Sequence, residues 1–162
     1  ENKFLSGYKN YNHFDFQGST WAPSIVHRDI WIKVGGFSEE FFPGTGSDPD
    51  FNMKLWNLGI RIFKGINDFK VYHFGSIVLR KKLNKMNNKS KFGSIGAKIF
   101  LLKWGVSIKF FKKFYLQSNT IYKGPLNEPI INFNYIFKYI VCRINYFYIK
   151  LFYKKYIVNN NN

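Results

Sequence analysis

Two carboxylates separated by one proline, Asp48 and Asp50, follow the glycine-rich loop at residues 42–47. A proline favours the first position of a helix, so the pattern predicts Asp48 as the N-cap and places both carboxylates in one helical turn. Capping needs only one of them, which leaves the other available to take a proton from a substrate hydroxyl. Two alternatives stay open: both carboxylates serve only the helix start, or they clamp Mg²⁺ or Mn²⁺ through hard oxygen ligands.

A histidine and a basic triplet extend this candidate site. His73 closes the segment Phe-Lys-Val-Tyr-His and is the nearest candidate for a further metal ligand. The alternative is that it makes a purely structural hydrogen bond at the end of a strand. Arg80-Lys81-Lys82 follows, and its cationic groups suit an anionic ligand.

These residues need elements that bring them together, and the sequence predicts short helices alternating with strands. Residues 20–27 are typical of a strand, and Asp29 is predicted to cap a helical turn that runs through Val34 and stops at Gly35-Gly36. A helix is predicted from Asp50 to a stop at Gly59, because its apolar residues recur at helical spacing. Residues 61–63 and 69–73 are predicted to form two further strands. This order indicates an α/β fold.

Several motifs, taken in order, resemble the C-terminal half of a family 2, GT-A-fold glycosyltransferase. They lie between about residues 18 and 106, and the ordered set is more specific than any one piece. The motifs are Val34-Gly35-Gly36-Phe37-Ser38, Phe41-Phe42-Pro43-Gly44, Ser47-Asp48-Pro49-Asp50-Phe51-Asn52-Met53-Lys54-Leu55-Trp56, Gly59, Val71-Tyr72-His73-Phe74-Gly75-Ser76 and Lys103-Trp104-Gly105.

The resemblance implies a role for individual positions. Asp48 falls on the general base that deprotonates the acceptor hydroxyl, while Ser47 replaces the acid that usually precedes it. His73 falls on a histidine that helps to hold Mn²⁺ or Mg²⁺ on the donor diphosphate, and Arg80 would add positive charge there. Acceptor binding is assigned to four residues: Trp21, Gly36, Phe37 and Asp50.

The resemblance also implies a division of the chain and a class of reaction. We expect residues 1–106 to be the acceptor-side part of a catalytic domain, a partial GT-A fold, and residues 107–162 to be a basic, amphipathic, helical region. The strand and glycine-rich phosphate turn of a nucleotide-binding half are missing from the sequence, which predicts a fragment that is inactive alone. The whole enzyme would transfer a sugar from a nucleotide-sugar donor, with inversion, to a glycan or a lipid-linked glycan.

Charge is distributed unevenly along the chain. The net charge is +16; residues 1–76 hold eight basic and eight acidic side chains, whereas residues 77–162 hold seventeen basic side chains and one acidic one. Coding bias can explain abundant lysine but not the clustering of acids in the first half. A single cysteine excludes an internal disulfide, and no run of about 18 uncharged apolar residues is present.

Residues 133–152 repeat aromatic and aliphatic side chains at intervals of three or four, with lysine and arginine between them. This pattern predicts an amphipathic helix that either lies on an anionic membrane or packs its apolar stripe on the catalytic part or on a partner. We therefore expect a cytoplasmic protein with peripheral contact to the inner membrane. The competing function is a nucleic-acid-binding module, in which aromatic rings stack on bases and lysines contact phosphates. Because the electrically neutral first half carries the ordered motifs, and nothing resembles an RNP segment or a recognition helix, nucleic acid is not the expected partner.

Overall fold

A computed structural model describes residue 18 and residues 24–42, 44–65 and 90–152. Within these ranges the chain forms five α-helices and one 3₁₀ turn at Glu39–Phe41. The helices are α1 (Arg28–Val34), α2 (Ser47–Asn57), α3 (Ser90–Trp104), α4 (Ile108–Phe114) and α5 (Phe133–Phe152).

The predicted α/β class is wrong for the described part of the chain, which contains no strand or sheet. Residues 24–27 and 61–63 are extended but irregular, and isolated bridge positions occur at Lys64 and Ile121. The backbone of residues 61–63 forms hydrogen bonds with loops instead of with a neighbouring strand. The carbonyl of Arg61 accepts from the Leu126 amide at 2.8 Å, and that of Phe63 accepts from the Gly18 amide at 2.9 Å. The predicted strand at 69–73 lies outside the described residues.

The helix ends were predicted better than the helix starts. Helix α1 ends at Gly35 as predicted, because that residue adopts a left-handed φ of 71° that favours glycine. Its N-cap is His27, not Asp29. The predicted N-cap role of Asp48 is wrong as well: Gly46 is the N-cap of α2 and the helix begins one residue before Asp48. Pro49 is tolerated further into the helix because none of the first four amides needs an intrahelical partner.

Helix α5 is confirmed over the full predicted range, 133–152. One side of it contributes Cys142 and Ile149 to a hydrophobic core that also takes side chains from α2, α3 and α4, among them Trp56, Phe100 and Phe111. This core joins residues on both sides of position 106. Among the described residues, no helix is both long enough and apolar enough to cross a membrane.

Candidate acceptor site at the start of helix α2

A fully buried carboxylate, that of Asp50, lies at the centre of the candidate site, with an exposed fraction of 0%. Its Oδ1 accepts from the indole N–H of Trp104 at 2.7 Å, and its Oδ2 accepts from the hydroxyl of Ser38 at 2.7 Å. The Nζ of Lys103 lies 2.9 Å from Oδ1. A buried carboxylate is costly unless it is paired and hydrogen-bonded. These contacts satisfy both oxygens and hold the first turn of α2 in place.

The ammonium group of Lys103 links three segments of the chain. Besides Asp50, it contacts Oε1 of Glu40 at 2.7 Å and donates to the hydroxyl of Ser38 at 3.0 Å. An ammonium has three hydrogens to donate, and each has an acceptor here. The 3₁₀ turn, helix α2 and the end of helix α3 are therefore tied together at one point. We name the set Ser38, Glu40, Asp50, Lys103 and Trp104 the anchor cluster.

Lys54 lies one helical turn after Asp50 and connects α2 to the end of α1. Its Nζ donates to the carbonyl of Gly36 at 2.9 Å and lies 3.8 Å from Oδ2 of Asp50. Burial lowers the pKa of Lys54 below its ordinary value, and the nearby charge of Lys103 adds to this, although Asp50 and Glu40 oppose it. Its main contact is therefore the carbonyl of Gly36, which fixes the glycine turn relative to α2.

An aromatic surface adjoins this turn. The rings of Trp31 and Phe37 meet edge to face with centroids 5.2 Å apart, and both contact the buried ring of Phe51, at 5.1 and 5.3 Å. Trp31 is 37% exposed and Phe37 is 49% exposed, so part of each ring faces solvent. A Cβ atom at Gly36 would lie 2.8 Å from the Trp31 ring, and its φ is 58°. Only glycine fits at this position without strain.

The loop before α2 packs directly on helix α3. A Cβ atom at Gly96 would lie 1.8 Å from the carbonyl oxygen of Thr45, and one at Gly46 would lie 2.9 Å from the Phe41 ring. The hydroxyl of Ser47 donates to the carbonyl of Gly44 at 2.7 Å. These close approaches fix the path of the chain into Asp48.

Asp48 itself occupies the second position of α2 and is partly exposed. Phe51 lies three residues later, so helical spacing places Asp48 and Phe51 on the same side of α2. Because Phe51 contacts the ring of Phe37, this side of the helix borders the aromatic surface. Of the two acidic residues, Asp48 is therefore partly exposed on this side of the helix, whereas Asp50 is fully buried.

The other residues predicted for the site have different outcomes. Gly36 and Phe37 lie beside α2, as described above, while Asp50 lies beneath the surface and contacts protein groups. Trp21, His73 and Arg80 lie outside the described residues. Among the residues that are described, no group of three His, Cys, Asp or Glu side chains converges to hold a metal ion. The assignment of Mn²⁺ or Mg²⁺ to His73 stays a prediction.

Sequence reasoning did not find Trp31, Ser38 or Gly96 as residues of the site. Ser38 belongs to a recognised motif, but its contact to Asp50 joins residues twelve positions apart. Trp31 was visible only as an apolar residue in a predicted helical turn, and no helix was predicted around Gly96, which lies in α3. Comparisons with protein-family models, with curated protein sequences and with solved structures found no match for this chain.

Proposed function

We propose that this chain forms the acceptor-side part of an enzyme that transfers a sugar from a nucleotide-sugar donor to an acceptor hydroxyl. One observation carries the proposal. Ser38, Asp50 and Trp104 come from three separate motifs, and the side chains of Ser38 and Trp104 both donate hydrogen bonds to the carboxylate of Asp50. The cluster fixes the helical turn that carries Asp48, the residue for which the same motifs imply a role as base.

In this proposal Asp48 accepts the proton of the acceptor hydroxyl. The acceptor oxygen then forms a bond to the anomeric carbon of the sugar, and the bond from that carbon to the diphosphate oxygen breaks with its electron pair leaving on the diphosphate. A single displacement of this kind inverts the configuration of the sugar. The anchor cluster supports the reaction by holding the first turn of α2 rigid, because misplacing a base by about 1 Å can reduce turnover about a hundredfold.

The aromatic surface of Trp31 and Phe37 is the proposed contact for the acceptor. Sugar rings stack on aromatic faces through their apolar C–H groups, and exposed rings provide such faces at low entropic cost. The acceptor is a glycan or lipid-linked glycan that lies on this surface with one hydroxyl directed towards Asp48. The fixed Gly36 turn sets the position of the Phe37 ring next to α2.

A bound Mn²⁺ or Mg²⁺ would neutralise charge on the departing diphosphate, as the resemblance implies for His73, with Arg80 assisting. We assign no reaction step to a metal ion held by the described residues. Their part in the reaction is confined to the acceptor: they hold it, orient its hydroxyl and remove its proton.

The proposal is tested by sugar transfer from a panel of nucleotide sugars in the complete enzyme that carries these residues. Phe37→Ala should raise the KM for the acceptor by up to about tenfold and leave the KM for the donor unchanged, since one stacking contact is worth about 0.5–1.5 kcal/mol. Phe42→Ala is the matched control, because Phe42 is a more exposed phenylalanine that lies outside the aromatic surface. Equal effects of the two substitutions, or no transfer from any nucleotide sugar together with tight binding of single-stranded RNA, would overturn the proposal.

A further inference from the structure

Helix α5 carries apolar side chains on two opposite faces. Its inner face includes Tyr135, Cys142, Tyr146 and Ile149, which pack on the hydrophobic core. The outer face is also apolar, but it is exposed to solvent along the whole length of the helix. Its exposed members are Phe133, Ile136, Phe137, Ile140, Val141, Ile144, Phe147, Tyr148, Leu151 and Phe152. Packing on the core accounts for the inner face but not for the outer one.

The cations of α5 border the outer face on both sides. With 3.6 residues per turn, Lys138 lies along one edge of the apolar stripe, whereas Arg143 and Lys150 lie along the other. Their charged groups rest close to neighbouring rings: Arg143 lies 5.3 Å from the ring centroid of Phe147, and Lys138 lies 5.6 Å from that of Phe137. A lysine or arginine that covers apolar surface with its stem while its charged end stays at the edge is suited to an interface between hydrocarbon and water.

The charge of the surrounding chain identifies the partner. Residues 129–162 contain no acidic side chain, and residues 77–162 contain only Glu128. A second copy of this chain would bring two strongly positive surfaces together, so self-association through this face is disfavoured. A nucleic acid would neutralise the cations but would leave the isoleucine and leucine side chains in water. An anionic lipid surface accommodates both the cations and the exposed apolar side chains of α5.

We propose that the outer face of α5 binds in the interface of an anionic lipid bilayer, with the helix axis parallel to the membrane. The apolar stripe enters the boundary between headgroups and acyl chains, and Lys138, Arg143 and Lys150 contact anionic headgroups on either side. This inference does not depend on sugar transfer. It would hold if the chain had another activity, and it predicts binding by the 162-residue chain without a donor or an acceptor.

The test is cosedimentation of the chain with vesicles that contain phosphatidylcholine alone or phosphatidylcholine with phosphatidylserine. The double variant I140Q/I144Q should weaken binding to anionic vesicles about twentyfold or more, because two apolar side chains no longer enter the interface. The matched control is I32Q/I62Q: Ile32 and Ile144 are both 62% exposed and Ile62 is 60% exposed, but Ile32 and Ile62 lie outside α5. The control variant should bind as the wild type does.

A second variant separates the electrostatic part from the apolar part. K138Q/R143Q/K150Q should weaken binding about a hundredfold at low salt, since each cation near an anionic surface contributes about a fivefold change in affinity. Added salt should reduce this difference. Circular dichroism verifies that each variant stays helical. Equal loss of binding in I140Q/I144Q and I32Q/I62Q, unchanged binding in I140Q/I144Q, or binding to single-stranded RNA with no binding to vesicles would overturn the proposal.

Discussion

The buried carboxylate of Asp50 provides a quantitative test of the anchor cluster. Asp50→Asn keeps the shape of the side chain and can keep the hydrogen bonds to Trp104 and Ser38, because a hydroxyl both donates and accepts. It removes the negative charge that faces Lys103 at 2.9 Å and Lys54 at 3.8 Å. Breaking a buried ion pair costs about 3–5 kcal/mol. Lys103 keeps a second carboxylate partner, Glu40, at 2.7 Å. We therefore expect Asp50→Asn to lower the free energy of unfolding by about 3 kcal/mol, the lower end of this range.

The assay is urea unfolding of the 162-residue chain followed by tryptophan fluorescence, with a thermal melt beside it. For a chain of this size, a loss of about 3 kcal/mol corresponds to a fall in Tm of about 6–12 °C. Asp48→Asn is the control, since it makes the same chemical change two residues away at a partly exposed position. We expect it to change the free energy of unfolding by less than about 1 kcal/mol. Equal destabilisation by the two variants, or an unchanged stability of Asp50→Asn, would refute the role of Asp50 as an anchor.

Two further predictions concern packing and pH. Gly96→Ala should destabilise the chain by about 3 kcal/mol or more, because its Cβ would meet the Thr45 carbonyl oxygen at 1.8 Å. This cost should exceed the gain from the higher helix propensity of alanine. The control is Ala97→Ser, which also adds one atom to α3 but at an exposed position, and it should cost less than about 1 kcal/mol in the same unfolding assay. Burial raises the pKa of Tyr115 above its ordinary value of 10.0, so the unfolded chain loses this proton first and stability falls as the pH rises above 10. Melting curves between pH 9 and about 11 should show a shallower fall in stability for Tyr115→Phe than for wild type. An identical pH dependence of the two proteins would contradict this account.

The helices that follow from local signals were predicted from the sequence. Helix α5 was predicted because its apolar residues recur at helical spacing over twenty residues, and the end of α1 because Gly35 adopts a left-handed backbone conformation. The strand at 61–63 was predicted wrongly because a short apolar run carries no information about its hydrogen-bond partners. In the structure those partners are loop residues such as Leu126, far away in the sequence.

The candidate site was predicted in part. The sequence singled out Asp48 and Asp50, and the resemblance implied that Asp48 is the base and that Asp50 binds the acceptor. Residue type does not reveal burial, and the buried carboxylate of Asp50 contacts protein groups instead. Asp50 is enclosed by Ser38 and Trp104, which lie on other segments, and only packing reveals this. The N-cap of α2 was misplaced for a related reason: the loop before Ser47 is positioned by its close approach to Gly96 of α3, which is a tertiary contact.

The central claim is that Asp48 acts on the acceptor while Asp50 holds the helix on which Asp48 lies. The most direct test is turnover of the complete enzyme with Asp48→Asn, measured with saturating donor and acceptor at a temperature at which the variant is folded. We expect turnover to fall about a hundredfold or more, with nucleotide binding and stability close to those of wild type. Near-normal turnover of Asp48→Asn, alongside inactivity of a folded Asp50→Asn enzyme, would contradict the claim and assign the base to Asp50.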